Sequence, residues 1–336
     1  LARIVLPTAE SHDLETLARE LRVQADWTTP DGRAAGAAEV WRALIESLAR
    51  IPLPVLTELE KLAEPTLSPL RPVIEAGTRV ALKTGFGTRE KSLRDVIHAK
   101  PPLAPKSERE PPREPPEPLD LGEIADLLGP DGPLARAFAG YEDRPQQARM
   151  AEEVSHAFNE SLVTLVEAGT GTGKSMAYLV PAVLWARRNN EAIVISTNTK
   201  NLQSQLFQKD LPFLERALGA EFRYALIKGR QNYLCLRKLT NLLADAGREL
   251  SPEERWAVMP VITWLPRTEV GDVAECSGLR GGMQSELWSR VTTQPDECIG
   301  MRCRHARQCF VRKARALALQ AHVIVANHAT VFAEAG

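Results

Sequence analysis

The 336-residue sequence predicts an α/β fold: a parallel sheet covered by helices on both faces, entered through a mostly helical stretch and interrupted by a cysteine-bearing insertion. Three observations carry this expectation. After residue 119, short apolar runs alternate with helix-length stretches, the pattern of strands buried on both faces. A glycine-rich octet lies between one such run and the helix after it. Between about residues 229 and 318 the alternation fails, and all five cysteines fall there.

Taken in order, residues 1–72 read as helical, because Leu14, Leu17 and Leu21, then Trp41, Leu44, Ile45 and Leu48, recur at helical spacing. Residues 73–118 read as a linker. From Lys100 to Pro118 the segment KPPLAPKSEREPPREPPEP mixes proline with both charges and has nothing with which to build a core. Residues 119–336 form the α/β domain. Its strand candidates are Leu162–Val166, Ala192–Ser196, Phe222–Ile227 and Val323–Ala326, with a helix from Ser175 to about Arg188.

Bulk composition narrows the class. Apolar residues make up 44% and charged residues 25%, and no apolar run is long enough to span a bilayer, so a water-soluble globular chain is expected. A net charge of −1 means that any nucleic-acid contact must come from local basic patches. The first residues, LARIVLPTAE, lack the charged lead and apolar core of a signal peptide. They also lack a Met, so Leu1 is not expected to be the natural start. With no export signal, metal binding is a better reading of clustered cysteines than disulfides.

The octet runs Ala168, Gly169, Thr170, Gly171, Thr172, Gly173, Lys174, Ser175 and fits the A/G-x-x-x-x-G-K-S/T pattern. The glycines let the backbone curl so that its N–H groups face phosphate oxygens. Lys174 is placed to reach the β- and γ-phosphates, the Ser175 hydroxyl to ligate Mg²⁺, and the helix that starts here adds its positive end. The bland alternative is a flexible glycine turn; the strand-to-helix context favours an ATP-type nucleotide site. Upstream, Arg144 and Gln147 are candidates for reading an adenine edge, against the plainer reading of a solvated lead-in to a helix.

Cys298, Cys303 and Cys309 form a tight triplet, with Cys235 far upstream as a fourth ligand candidate. Four thiolates hold either tetrahedral zinc or an iron–sulfur cluster, and the one-and-three division suits a cluster better than the paired knuckles of structural zinc. Cys276 lies outside this grouping and reads as a small inert thiol. Arg302, Arg304, Arg307 and Arg312 around the triplet are either a solvated face or phosphate contacts. Two further stretches are DNA-contact candidates. Thr197, Thr199, Lys200 and Gln203 sit at a helix start, where ordinary N-capping explains the hydroxyls equally well. Lys228, Arg230 and Tyr233 combine charge with an aromatic ring, as a single-strand groove does.

Together these residues resemble the DinG/XPD family of superfamily 2 iron–sulfur helicases, the DinG branch most closely, from about Leu119 to Gly336. YEDRPQQARM resembles the approach to the family's Q motif, VEAGTGTGKSMAYLVP its motif I and STNTKNLQSQLFQKDLP its motif Ia. KGRQNYLC leads to the first cluster cysteine; TEVGD, the cysteine triplet and AHVIVANHA follow in the family's order. The resemblance implies a RecA-like P-loop motor domain with an inserted [4Fe–4S] domain, ligated through Cys235, Cys298, Cys303 and Cys309. It also implies ATP and Mg²⁺ as cofactors, and 5′→3′ unwinding on single-stranded DNA and single/double-strand junctions. A monomer in the cytoplasm, at the nucleoid and away from membranes, is the corresponding expectation.

One departure matters. The family's D-E-A-H box supplies the acid that holds Mg²⁺ and the base that orients water, and no D-E-x-H occurs in these 336 residues. Motifs of a second motor domain, with its arginine finger, are absent too. Since hydrolysis needs all of these parts, the chain is expected to bind nucleotide and not to turn it over efficiently. Residues 1–72 also resemble the C-terminal part of a DEDD-type 3′→5′ exonuclease domain of RNase H-like fold. Gly32 and Ala37 stand where that nuclease carries a His and an Asp, which disarms two-metal chemistry. Three functions therefore compete: the front part of a helicase, a redox-responsive DNA-binding module that does not hydrolyse ATP, and an exonuclease, the least favoured.

Overall fold

The computed structural model describes residues 1–64, 68–84, 92–100, 110–279 and 282–335. The chain divides into two units. One comprises Leu1–Leu103 with Arg230–Lys313, the other Ala104–Gly229 with Ala314–Gly336.

The first unit is helical. Helix Leu14–Leu21 starts where Asp13 accepts the Thr16 N–H, and helix Pro30–Leu48 where Thr29 accepts the Gly32 N–H. In the latter the buried stripe runs through Val40, Leu44 and Leu48, one turn apart, and leaves Trp41 on the exposed flank. Helix Leu53–Ala63 buries Val55, Leu56, Leu59 and Leu62. It packs against helices Arg71–Thr84 and Pro252–Trp264. The last belongs to the cysteine-bearing stretch and buries Val258, Met259, Val261, Ile262 and Trp264. Pro7 seals the same core, its carbonyl accepting from the Gly278 N–H at 3.0 Å and the Ser277 hydroxyl at 3.1 Å.

The stretch read as linker holds regular structure over part of its length. Helix Arg71–Thr84 buries Ile74 and Ala81 completely, and Ser92 caps a short helix, Leu93–His98. Few apolar residues suffice there, because each meets an existing core. Of the proline-rich part, residues 101–109 lie outside the described residues, and residues 110–120 are free of helix and strand.

The second unit is a mixed α/β body with a three-stranded parallel sheet. Strand β1 spans Ile193–Thr197, β2 Tyr224–Ile227 and β3 Val323–Asn327; the order is β1-β3-β2. Val323 stands opposite both Ile193 and Tyr224 in register. Central β3 is the most buried strand, with Val323 and Val325 fully covered. One face carries the main core, in which Val180, Val183 and Leu184 of helix Lys174–Arg188 and Leu211 and Leu214 of helix Leu211–Leu218 meet Val323 and Val325. The opposite face is thinner, a cluster of Ala225, Ala318 and Ala321 flanked by Ile227 and Ile324.

Three of the four expected strands are therefore present. The fourth is not: Leu162–Val166 pairs with neither edge of the sheet. Its Val163 and Leu165 are fully exposed, at 104% and 100% of their reference areas. Its composition suits a strand, but a strand exists only through a partner's hydrogen bonds, and composition cannot supply one.

Candidate functional site

The phosphate loop occupies the turn before helix Lys174–Arg188. Gly171 and Gly173 take left-handed conformations, with φ of +82° and +77°, which side-chain-bearing residues adopt only at a cost. At Gly173 a β-carbon would also stand 2.2 Å from Gln147 Nε2. Lys174 Nζ donates back to the carbonyls of Ala168 at 3.0 Å and Gly169 at 2.6 Å, and Thr172 Oγ1 donates to Gly169 at 3.1 Å. The helix leaves its first N–H groups toward the loop, the end that favours an anion.

Helix Pro145–Asn159 packs along the loop-bearing helix, with Phe158 stacked on Trp185 at 5.4 Å. It brings both upstream candidates to the loop. Arg144 Nη1 donates to the Gly171 carbonyl and Gln147 Nε2 to the Gly173 carbonyl, each at 2.8 Å. Gln147 is buried in this position.

One residue that the sequence did not single out joins them. The chain after Gln205 widens into a π-helical turn, Leu206–Asp210, and the Asp210 carboxylate accepts from Gln205 Nε2 at 3.2 Å and lies beside the Ser175 hydroxyl. Burial raises the Asp210 carboxyl above its ordinary range, outweighing these neighbours. Tyr178, one turn beyond Ser175, is raised in the same way, chiefly by burial. A carboxylate thus stands beside the hydroxyl expected to hold Mg²⁺. Its one sequence signal was its place at the end of the QLFQKDLP run. Insertions that widen a helix to the π form recur at functional sites.

The strand-end candidates divide. Thr199 accepts the Leu202 N–H at 3.2 Å, the N-cap that was the plainer expectation. Thr197 and Gln203 are buried; Thr197 Oγ1 donates to the Thr199 carbonyl and Gln203 Nε2 to the Ile227 carbonyl, at 3.2 and 3.0 Å. Lys200 is exposed at the helix start and Lys228 is half-buried after β2. At the end of β3, His328 Nδ1 and Ser196 Oγ share a hydrogen bond at 2.6 Å, and Asn327 Nδ2 donates to the Asn198 carbonyl at 2.9 Å. This pair ties the β1 and β3 ends into one polar rim.

In the first unit, Arg230 is half-buried, while Tyr233 is 2% exposed and bridges to Asp272. Cys235 precedes helix Leu236–Ala244 and Cys309 precedes helix Phe310–Gln320; all five cysteines are free thiols. Burial pushes the Cys235 and Cys309 thiols up. A smaller contribution comes from neighbouring cysteines: Cys303 acts on Cys235, and Cys235 and Cys298 act on Cys309. The four expected ligands thus share one neighbourhood and fit a thiolate-held centre by donor chemistry. They are not drawn into ligating distance: among the described residues no group of three or more His, Cys, Asp or Glu side chains is placed to hold a metal ion. Cys276 stands apart, 2% exposed with Sγ 3.9 Å from the Pro260 carbonyl, and burial pushes its thiol up to about 12.

Comparison with known proteins agrees with this geometry. The DEAD/DEAH box helicase family matches residues 144–246, from Arg144 through the phosphate loop and the edge strands β1 and β2 to the helix after Cys235. The chain is 40% identical to the ATP-dependent DNA helicase YoaA of Escherichia coli over 205 residues, 61% of this chain and 31% of the relative. It is 38% identical to the ATP-dependent helicase DinG of Mycobacterium tuberculosis over 219 residues, 60% of this chain and 32% of the relative. The 3′-5′ exonuclease DinG of Bacillus subtilis is 28% identical over all of this chain, which covers 35% of it. The chain thus spans about a third of the length of these relatives. No helix among the described residues is long and apolar enough to cross a membrane. With its loop and parallel sheet, the chain is thus similar to the DEAD/DEAH box helicase family over residues 144–246 and to helicases named YoaA and DinG over about 60% of its length.

Proposed function

We propose that this chain is the nucleotide- and single-strand-binding front part of an ATP-dependent DNA helicase. The observation that carries this is the loop: two left-handed glycines, Lys174 at its carbonyls, and Arg144 and Gln147 donating to it. ATP and Mg²⁺ are its cofactors, with Ala168 to Ser175 around the phosphates and Arg144 and Gln147 on the base side. Asp210 orients the serine hydroxyl toward the metal. Without a D-E-x-H in these residues, the chain binds nucleotide and hydrolyses it poorly. Exposed Lys200 and half-buried Lys228 and Arg230 are the cationic DNA contacts. The substrate is single-stranded DNA and its junctions with duplex, travelled 5′→3′ by a monomer at the bacterial nucleoid.

Cys235, Cys298, Cys303 and Cys309 hold a [4Fe–4S] cluster, supported by their shared neighbourhood and the absence of disulfides. When bound it supplies a redox-active cross-link between distant parts of the first unit. Residues 1–72 are the trailing part of an exonuclease-like domain, a reading supported by the match of this chain's whole length to part of the Bacillus subtilis protein named 3′-5′ exonuclease DinG. Gly32 has no room for a metal-binding side chain, since a β-carbon there would stand 2.0 Å from the Asp26 carbonyl oxygen.

Calorimetric titration tests the nucleotide reading. Mg²⁺-ATP is expected to bind the wild-type chain in the micromolar range, about −8 kcal/mol, and Lys174→Ala to weaken it at least tenfold. Robust DNA-stimulated ATP turnover by the 336 residues alone would overturn the division between binding and hydrolysis.

A further inference from the structure

The first unit holds a cavity of about 220 Å³ that the nucleotide site does not use. Its lining includes four cations, Lys100, Arg267, Arg307 and Lys313, and one carboxylate, Glu269. Among the described residues the lysines donate to neutral groups. Lys100 Nζ donates to the Thr268 carbonyl at 2.5 Å and lies 5.6 Å from the centre of the Phe310 ring; Lys313 Nζ donates to the Glu269 carbonyl at 3.0 Å. Among the described residues neither arginine makes an ion pair.

Gathering like charges in a partly desolvated hollow is unfavourable by itself. Burial and the nearby charge of Lys313 push the Lys100 ammonium down to about 8, against the opposing pull of Glu269 and Glu275. A doubly bonded anion relieves both costs. The donor set is also mixed: two half-buried lysines and two arginines of exposed residues, of which the Arg267 guanidinium is lowered by burial. Planar forks with point charges behind them match a phosphate oxygen triangle.

We propose that this cavity is a phosphate-ester site that seats a backbone phosphate of single-stranded DNA on the cysteine-bearing unit. The strand assignment rests on the DNA-binding reading above; the phosphate assignment does not. A strand carries further phosphates that exposed Arg302 and Arg304 of the same unit can meet, whereas a lone phosphate needs only the hollow.

The experiment uses the whole chain and labelled oligothymidylate in fluorescence anisotropy across a salt series, with inorganic phosphate and thymidine monophosphate titrated separately by calorimetry. Each phosphate contact contributes about 0.7 to the log–log salt slope for a single strand. Lys100→Ala/Lys313→Ala is expected to reduce the slope by about one and the affinity about tenfold, with Mg²⁺-ATP binding unchanged. Arg267→Gln/Arg307→Gln alters residues outside the buried core and is expected to act in the same direction, which covers a folding failure of the lysine pair. If phosphate binding is lost in the variants but the DNA slope is unchanged, the site stands and its ligand is a free phosphate. If the wild type binds phosphate but no DNA, the DNA reading falls and the pocket stands. If the variants alter neither phosphate binding nor slope, the proposal is overturned.

Discussion

Lys174 and Gly173 are each fixed by one physical demand, a charge on phosphate and a left-handed backbone angle, and such demands are visible in a bare sequence. Cys276 shows a subtler case. Spacing set it apart from the other four cysteines, and the structure gives the reason: it is buried against the Pro260 carbonyl, where a thiolate would be desolvated. The thiolate is the reactive species, and with the thiol pushed up to about 12 only about one in ten thousand molecules carries it at pH 8. Native protein treated with iodoacetamide at pH 8 is therefore expected to leave Cys276 unmodified, and guanidinium to open it, with peptide mass spectrometry as the readout. Rapid native labelling of Cys276 would place it nearer the surface than its 2% exposure. Asp210 was illegible by contrast. Its contact with Ser175 depends on a π-helical turn that returns the chain to the loop, and no spacing rule encodes that return.

At the scale of elements, β1, β2 and β3 could be read because each is a short apolar run whose neighbours are also strands. Leu162–Val166 has the same composition and forms no ladder, so composition reports willingness to pair and not pairing. The distinction has an energetic consequence. Val163 and Leu165 bury nothing, so Val163→Asp/Leu165→Asp is expected to leave the melting temperature within about 1 °C. Val325 of β3 is fully buried, and Val325→Ala is expected to cost about 2 kcal/mol, a fall of roughly 4–8 °C for a body of this size. Differential scanning fluorimetry of the two variants side by side checks both. A large loss from the first pair would show that the run is packed in solution. Helices Arg71–Thr84 and Leu93–His98 teach the converse. Their sparse apolar residues gave too weak a period to read, yet Ile74, Ala81 and Ile97 are fully buried because the surrounding helices supply the rest of the core.

At the scale of the molecule, the sequence suggested a break at the proline-rich segment and an insertion after Gly229. The contacts group the N-terminal helices with residues 230–313, a long-range pairing that no local pattern announces. Helix Leu53–Ala63 packs on helix Pro252–Trp264 because each carries an apolar face wide enough to need a partner. Each unit thus has its own buried core, and the phosphate loop belongs to only one of them. Ligand binding stabilises the folded body that holds the site, by about 2.7 kcal/mol at a hundredfold excess over Kd. For a body of roughly 150 residues that corresponds to a rise of about 5–10 °C. Scanning calorimetry with Mg²⁺-ATP is therefore expected to move one transition upward and leave the other in place. Lys174→Ala should abolish the movement without shifting either transition in the absence of nucleotide. If nucleotide instead raises both transitions together, the two cores unfold as one cooperative body, and ATP bound at Lys174 stabilises the cysteine-bearing unit as well.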